Sequence, residues 1–274
     1  MTLNIVCFSQ ESFDLNWKLN HNERIAYLTI MEQIDSSEID LPFILQEIVD
    51  SKDFNIDEFF KSFYGEIDNF SMISILQKRK NWTEVCLIRE NLNPDTTKNN
   101  NQIQQLLKGI QLRGLLNKDG GIESFYTKRD QKNLLAILFQ LPSKPVKIGE
   151  SWELDLTWIS TDHNFRCDSM ERINEVTLID VKYEQNDTIA LIKYKNHEII
   201  NGEFFSPFGG QTIPSLFDMR FDGLCEFSIS KGKWKNYSGV VSYYSEGYQK
   251  ANFKQRFALI EQKEIPEKVL QYLE

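Results

Sequence analysis

The side chains in this chain best suited to metal binding or nucleophilic chemistry are three histidines and four cysteines. Their spacing does not serve either purpose. His21, His163 and His197 lie in a turn, a polar loop and a strand end, and none has a second His or Cys at a metal-ligand interval such as HExxH. Cys7, Cys86, Cys167 and Cys225 include no CxxC pair. Cys86 and Cys225 fall in apolar strand patterns and read as buried thiols, while a bridge between any two cysteines stays open. There is no GxSxG elbow, P-loop or dinucleotide fingerprint. Asn117-x-Asp119-Gly120 has the opening of a calcium loop without its later bidentate Glu, and a tight turn accounts for it. Asp218, Arg220 and Asp222 alternate, so they share one strand face. Acid–base work by two carboxylates would need burial to separate their pKa values. With Met219 and Phe221 between them, these charges read as a solvent-side ladder. No catalytic set, metal site or cofactor site is implied, and an enzyme is the least supported class.

Residues 201–217, NGEFFSPFGGQTIPSLF, are the one candidate contact surface. They concentrate Phe204, Phe205, Phe208, Ile213, Leu216 and Phe217 among Pro207, Gly209, Gly210 and Pro214. Read as a loop, the segment is unusually apolar, because loop backbone normally meets water. It either tucks under a sheet as core or forms a lip for an apolar ligand or lipid.

The elements that position this segment are organised around residues 141–159, LPSKPVKIGESWELDLTWI. A helical run, NLLAILFQ, stops before Pro142, since proline cannot continue a helix. Trp152, Leu154, Leu156 and Trp158 then alternate with polar residues, which predicts a strand inside a sheet with one buried face. Similar alternation predicts hairpins over 13–34, 71–88, 110–126, 176–194 and 224–244, with an edge strand over 253–260. Helical spacing predicts short helices over 41–49 and 56–63 and a last one over 264–273, with Pro266 in its first turn. The polar stretch 91–101 is a loop. The fold class is therefore α+β, mainly β: a large curved antiparallel sheet of hairpins with a few helices packed on one face. Residues 11–140, with a helical segment at 41–65, form an N-terminal half and residues 141–274 a C-terminal half. The two could be similar units, because Glu11-Ser12-Phe13-Asp14-Leu15 parallels Glu150-Ser151-Trp152-Glu153-Leu154, or one continuous domain.

The net charge of −9 argues against a phosphate-tracking surface and against electrostatic docking on an anionic bilayer. No apolar run approaches the roughly 18 residues of a membrane span. Residues 1–10 are uncharged and mostly apolar and end abruptly at Glu11. They read as the remnant of a secretory signal, or else as a short terminal strand. Four Asn-x-Ser/Thr sequons (Asn69, Asn81, Asn186 and Asn236) matter only in a glycosylating host.

LPSKPVKIGESW is similar to the lPxkPvxvGdxW signature of a family of uncharacterised exported bacterial β-rich proteins. FDLNWKL with IAYLTIMEQI, VTLIDVKYEQNDTIALIKY and FDGLCEFSISKGKWKNYSG resemble the family's hairpins. The chain departs from the pattern at Glu150, where the motif often has Asp, and in its segment near 41–65. The resemblance implies export to the periplasm or cell surface, against a cytoplasmic alternative, and a β-rich fold without an assigned function. Two functions follow as expectations. One is a non-enzymatic envelope protein holding an apolar small molecule or lipid in the sheet's concavity. The other is a structural or protein-interaction module of the envelope with a filled interior. The first predicts a continuous apolar cavity lined by 201–217, the second a solid core and an exposed apolar patch.

Overall fold

In a computed structural model the described residues are 11–34, 38–39, 71–80, 82–92, 108–117, 121–127, 131–156, 165–205, 210, 212–248 and 250–273. The signal remnant, the helices expected over 41–49 and 56–63 and the polar loop at 93–101 lie outside them. Strands dominate, and the chain is α+β, mainly β, with two short helices among the described residues.

Two antiparallel meanders make one curved, open sheet. The first is β2 (Arg24–Gln33), β4 (Ser71–Arg79), β5 (Trp82–Glu90), β6 (Gly109–Leu116) and β7 (Ile122–Thr127). The second is β10 (Phe165–Glu184), β11 (Asp187–Phe205), β12 (Thr212–Ser228), β13 (Lys233–Glu246) and β14 (Ala251–Gln262). The order across the sheet is β7-β6-β5-β4-β2-β14-β13-β12-β11-β10-β9, so the first meander's first strand pairs with the second meander's last. The two-residue β3 (Glu38–Ile39) pairs with β14, and β9 (Ser151–Trp152) borders β10. The small strands β1 (Ser12–Phe13) and β8 (Val146–Lys147) form a separate pair. The hairpins expected over 71–88, 110–126, 176–194 and 224–244 are all present. Pleating sends alternate side chains to opposite faces, and here one face of nearly every strand feeds a single core.

That core is built on α1 (Gln131–Phe139). Its residues 135–139 are all buried, as expected of a helix apolar on every side. A helix leaves its last four carbonyls without intrahelical partners. Here all four are satisfied. Gln140 donates its backbone N–H to Ala136 at 3.1 Å. Tyr237 donates its hydroxyl to Ile137 at 2.7 Å, and the Trp234 indole donates to Leu138 at 2.8 Å. The Trp17 indole donates to Phe139 at 2.9 Å. Three aromatic donors from the sheet and the N-terminal segment thus fasten the helix into the concavity.

Four expectations are corrected. Phe13, Leu15, Trp17 and Leu19 do not pair with β2; beyond Phe13 the segment is extended chain anchored in the core. The strand expected from Trp152 to Trp158 ends at Trp152 and lies at the sheet's border, with residues 157–158 outside the described set. Residues 253–260 are not an edge: β14 sits between β13 and β2 near the middle of the sheet. The last helix, α2, covers only Glu267–Leu270, with Pro266 as its N-cap. It lies on the opposite face, where Val269 and Leu273 close a small second core over Ala26, Ile73, Ile75, Cys86 and Ile88.

Candidate functional site

The joint at 141–156 is a fastening. Gly149 has a φ of 87°, a conformation glycine adopts at little cost, and turns its N–H onto Leu178 O at 2.7 Å. Leu178 N–H returns to Glu150 O at 3.1 Å, beside the irregularity between Leu178 and Asp180 in β10. The Glu150 carboxylate accepts the Lys147 N–H at 2.8 Å. After Trp152 the ladder is carried on by a side chain. Asn174 accepts the Leu154 N–H at 3.0 Å and donates to the Leu154 carbonyl at 2.6 Å. Leu154 and Leu156 are buried by this docking, whereas Trp152 is half-buried. Gly149 and Glu150 of the signature stretch therefore each have a structural role.

Residues 201–217, expected as a loop, are mostly strand: β11 runs to Phe205 and β12 begins at Thr212. Phe208 lies outside the described residues. Pairing Phe204 with Ile213 and Ile200 with Phe217 puts Phe204, Ile213 and Phe217 on the core face. Alternation puts Phe205 and Leu216 on the other face. Phe204 is buried and stacked on Tyr248, with ring centroids 3.6 Å apart. Phe217 is buried edge-on to Phe165 at 5.4 Å. Phe205 is exposed. The fold thus splits the five candidate residues that are described, Phe204, Ile213 and Phe217 against Phe205 and Leu216, between two faces instead of gathering them round one space.

The turn after β13 seals this end. Gly247 has a φ of 95°, and a β-carbon there would stand 2.0 Å from Pro214 O. The Ser215 hydroxyl donates to Ile213 O and accepts the Tyr248 N–H, each at 3.0 Å.

His197 is mid-strand in β11 and not at a strand end. Its ring nitrogen Nε2 is 3.0 Å from Asp218 Oδ1, and Arg220 grips the same carboxylate with two bonds of 2.9 and 2.7 Å. Burial works to raise the Asp218 pKa, but the bonds from Arg220 and His197 outweigh it and hold the carboxyl below its usual range. The Asp218, Arg220 and Asp222 ladder faces outward, with Asp222 exposed. Such a group is a charge clamp between strands. On the core face, Glu198 is fully buried and paired with Arg172, and Asn196 donates to Asn174 at 2.9 Å.

Cys86 and Cys225 are buried free thiols. Burial pushes the Cys86 thiol up to about 11 and Cys225 higher still, which leaves both protonated and inert. Among the described residues no three His, Cys, Asp or Glu side chains gather as metal ligands, and no helix is long and apolar enough to cross a membrane.

A groove of about 270 Å³ opens at the C-terminal end of α1. Its floor is the row Lys78, Thr83 and Leu116, aligned across β4, β5 and β6 by the strand register. Trp17 and Phe139 form one wall and the exposed Trp82 stands at the rim. Sequence reading missed this site. Its residues are scattered over five segments, and Trp82 is the exposed first residue of an otherwise largely buried strand. No protein-family model matches the chain, and no curated protein or solved structure matches it either.

Proposed function

We propose that this protein is a non-enzymatic interaction module of the bacterial cell envelope that meets its partner on the outside of a filled fold. The observation that carries the reading is the occupation of the sheet's concavity by α1, held by the Tyr237, Trp234 and Trp17 bonds to its last carbonyls. A lipid in that space would have to displace the helix and orphan those carbonyls, each a cost of about 1–3 kcal/mol. The envelope location rests on the likeness of LPSKPVKIGESW to an exported family. An outer contact surface is available at β10, whose register with β9 covers, among the described residues, only Val176 and Thr177. On the same strand Met170 and Ile173 are exposed between charged neighbours.

Native mass spectrometry of protein recovered from the envelope tests the reading. The expected result is the mass of the bare polypeptide and no uptake of a fluorescent fatty acid. A co-purified lipid, released on denaturation, would overturn it in favour of a lipid holder.

A further inference from the structure

The groove at the end of α1 combines features that filling the core does not require. Trp17 is half-buried, and its indole is fixed in orientation by the bond to Phe139 O and by edge contacts to Phe227 and Trp234 at 5.5 and 5.9 Å. Trp82 keeps 40% of its surface exposed at the rim of the same space. Between them stand the amides of Asn16, Asn117 and Gln140. Gln140 Oε1 accepts the Asp155 N–H at 2.8 Å, which leaves its amide N–H groups to donate. The floor adds the Thr83 hydroxyl and the Lys78 ammonium. Lys78 is the only charged lining side chain among the described residues, in a chain of net charge −9.

We propose that this groove binds one acidic sugar ring, a pyranose bearing a carboxylate, as part of an envelope polysaccharide. Indole surfaces cover the CH-rich face of a pyranose, and amide and hydroxyl groups pair with its ring hydroxyls. The lone ammonium on the floor selects the carboxylate. A volume of about 270 Å³ suits a single ring, since pockets for drug-sized molecules run from about 300 to 1,000 Å³. A lipid chain fits poorly, because polar side chains supply much of the lining. The proposal goes beyond the filled-interior reading, and only the envelope source of the sugar rests on the location proposed there.

The test is isothermal titration and tryptophan fluorescence of the full chain with glucuronic acid, glucose and a ten-residue proline peptide. Glucuronate should bind saturably and alter indole emission, and glucose should bind more weakly. Lys78→Gln should weaken glucuronate binding roughly ten-fold or more, the scale of one lost charge-assisted bond, and weaken glucose binding by less. Trp82→Ala should weaken both sugars at an unchanged melting temperature, because the exposed indole contributes little to the core. No saturable glucuronate binding would overturn the proposal. Equal binding of both sugars, indifferent to Lys78→Gln, would overturn it too, as would tighter binding of the peptide. None of these outcomes alters the native mass, so this failure and that of the filled-interior reading are separable.

Discussion

Tyr237 on β13 donates its hydroxyl to the carbonyl of Ile137 on α1, across 100 residues of sequence, at 2.7 Å. The bond is buried, so no water can replace the donor. Tyr237→Phe keeps the ring's packing and removes only the hydroxyl, orphaning a buried acceptor at a cost of about 1–3 kcal/mol. Trp234 serves Leu138 in the same way. Each variant should show a lower urea midpoint with an unchanged slope, and an unmoved midpoint would mean that the helix terminus is hydrated.

Phe204 and Phe205 are neighbours with opposite fates. Phe204→Ser removes a buried, stacked ring and should cost on the order of 3–5 kcal/mol, as large-to-small core changes do. Phe205→Ser touches an exposed ring and should stay within about 0.5 kcal/mol. Thermal melts of the two single variants check this. Equal losses would contradict the strand register.

Asp187 sets an acid limb on stability. Burial works to raise its pKa, but the Ser228 hydroxyl at 2.7 and 2.8 Å, Ser230, the Thr188 N–H and Lys231 outweigh it and hold it below the usual carboxylate value. A carboxyl depressed on folding stabilises fully above its unfolded pKa of about 3.9 and loses that contribution as pH falls through the folded value. The advantage of wild type over Asp187→Asn should therefore be constant from pH 7 to about 5 and shrink below pH 4. Denaturant midpoints across that range would show it, and a gap that widened in acid would reverse the sign.

Thiol reactivity should divide by burial. Cys167 is exposed, whereas Cys86 and Cys225 are buried with raised pKa values. Among the described cysteines, an alkylating reagent at pH 8 should label Cys167 within minutes and reach Cys86 and Cys225 only on unfolding, as read by peptide mass spectrometry.

The hairpins were legible because alternation and turn chemistry agreed, as in the Asp187 hairpin and the Lys233 hairpin. Alternation misled at 13–19 and 152–158 for one reason. It reports that one side of an extended chain is buried, and says nothing of whether the other edge carries a ladder. Leu15 and Leu154 are buried as their spacing implies, yet the first stands in chain without a strand partner and the second bonds to the Asn174 side chain. Residues 201–217 read as a loop because their Gly and Pro residues obscure the alternation that carries Phe204, Ile213 and Phe217 into paired strands. The groove was invisible for a different reason: its side chains meet only once β4, β5, β6 and the end of α1 are assembled.

The seam between β2 and β14 orders events during synthesis. Arg256 and Glu32 face each other across it from 224 residues apart. Each meander can close its hairpins locally, but this pairing waits for nearly the whole polypeptide to leave the ribosome. Until then β2 presents an unpaired border to its surroundings, and the nascent chain is most open to mispairing with another copy. Joining these strands early, by a circular permutant that links residue 274 to residue 1, keeps both cores intact and opens the chain near residue 160, should speed refolding.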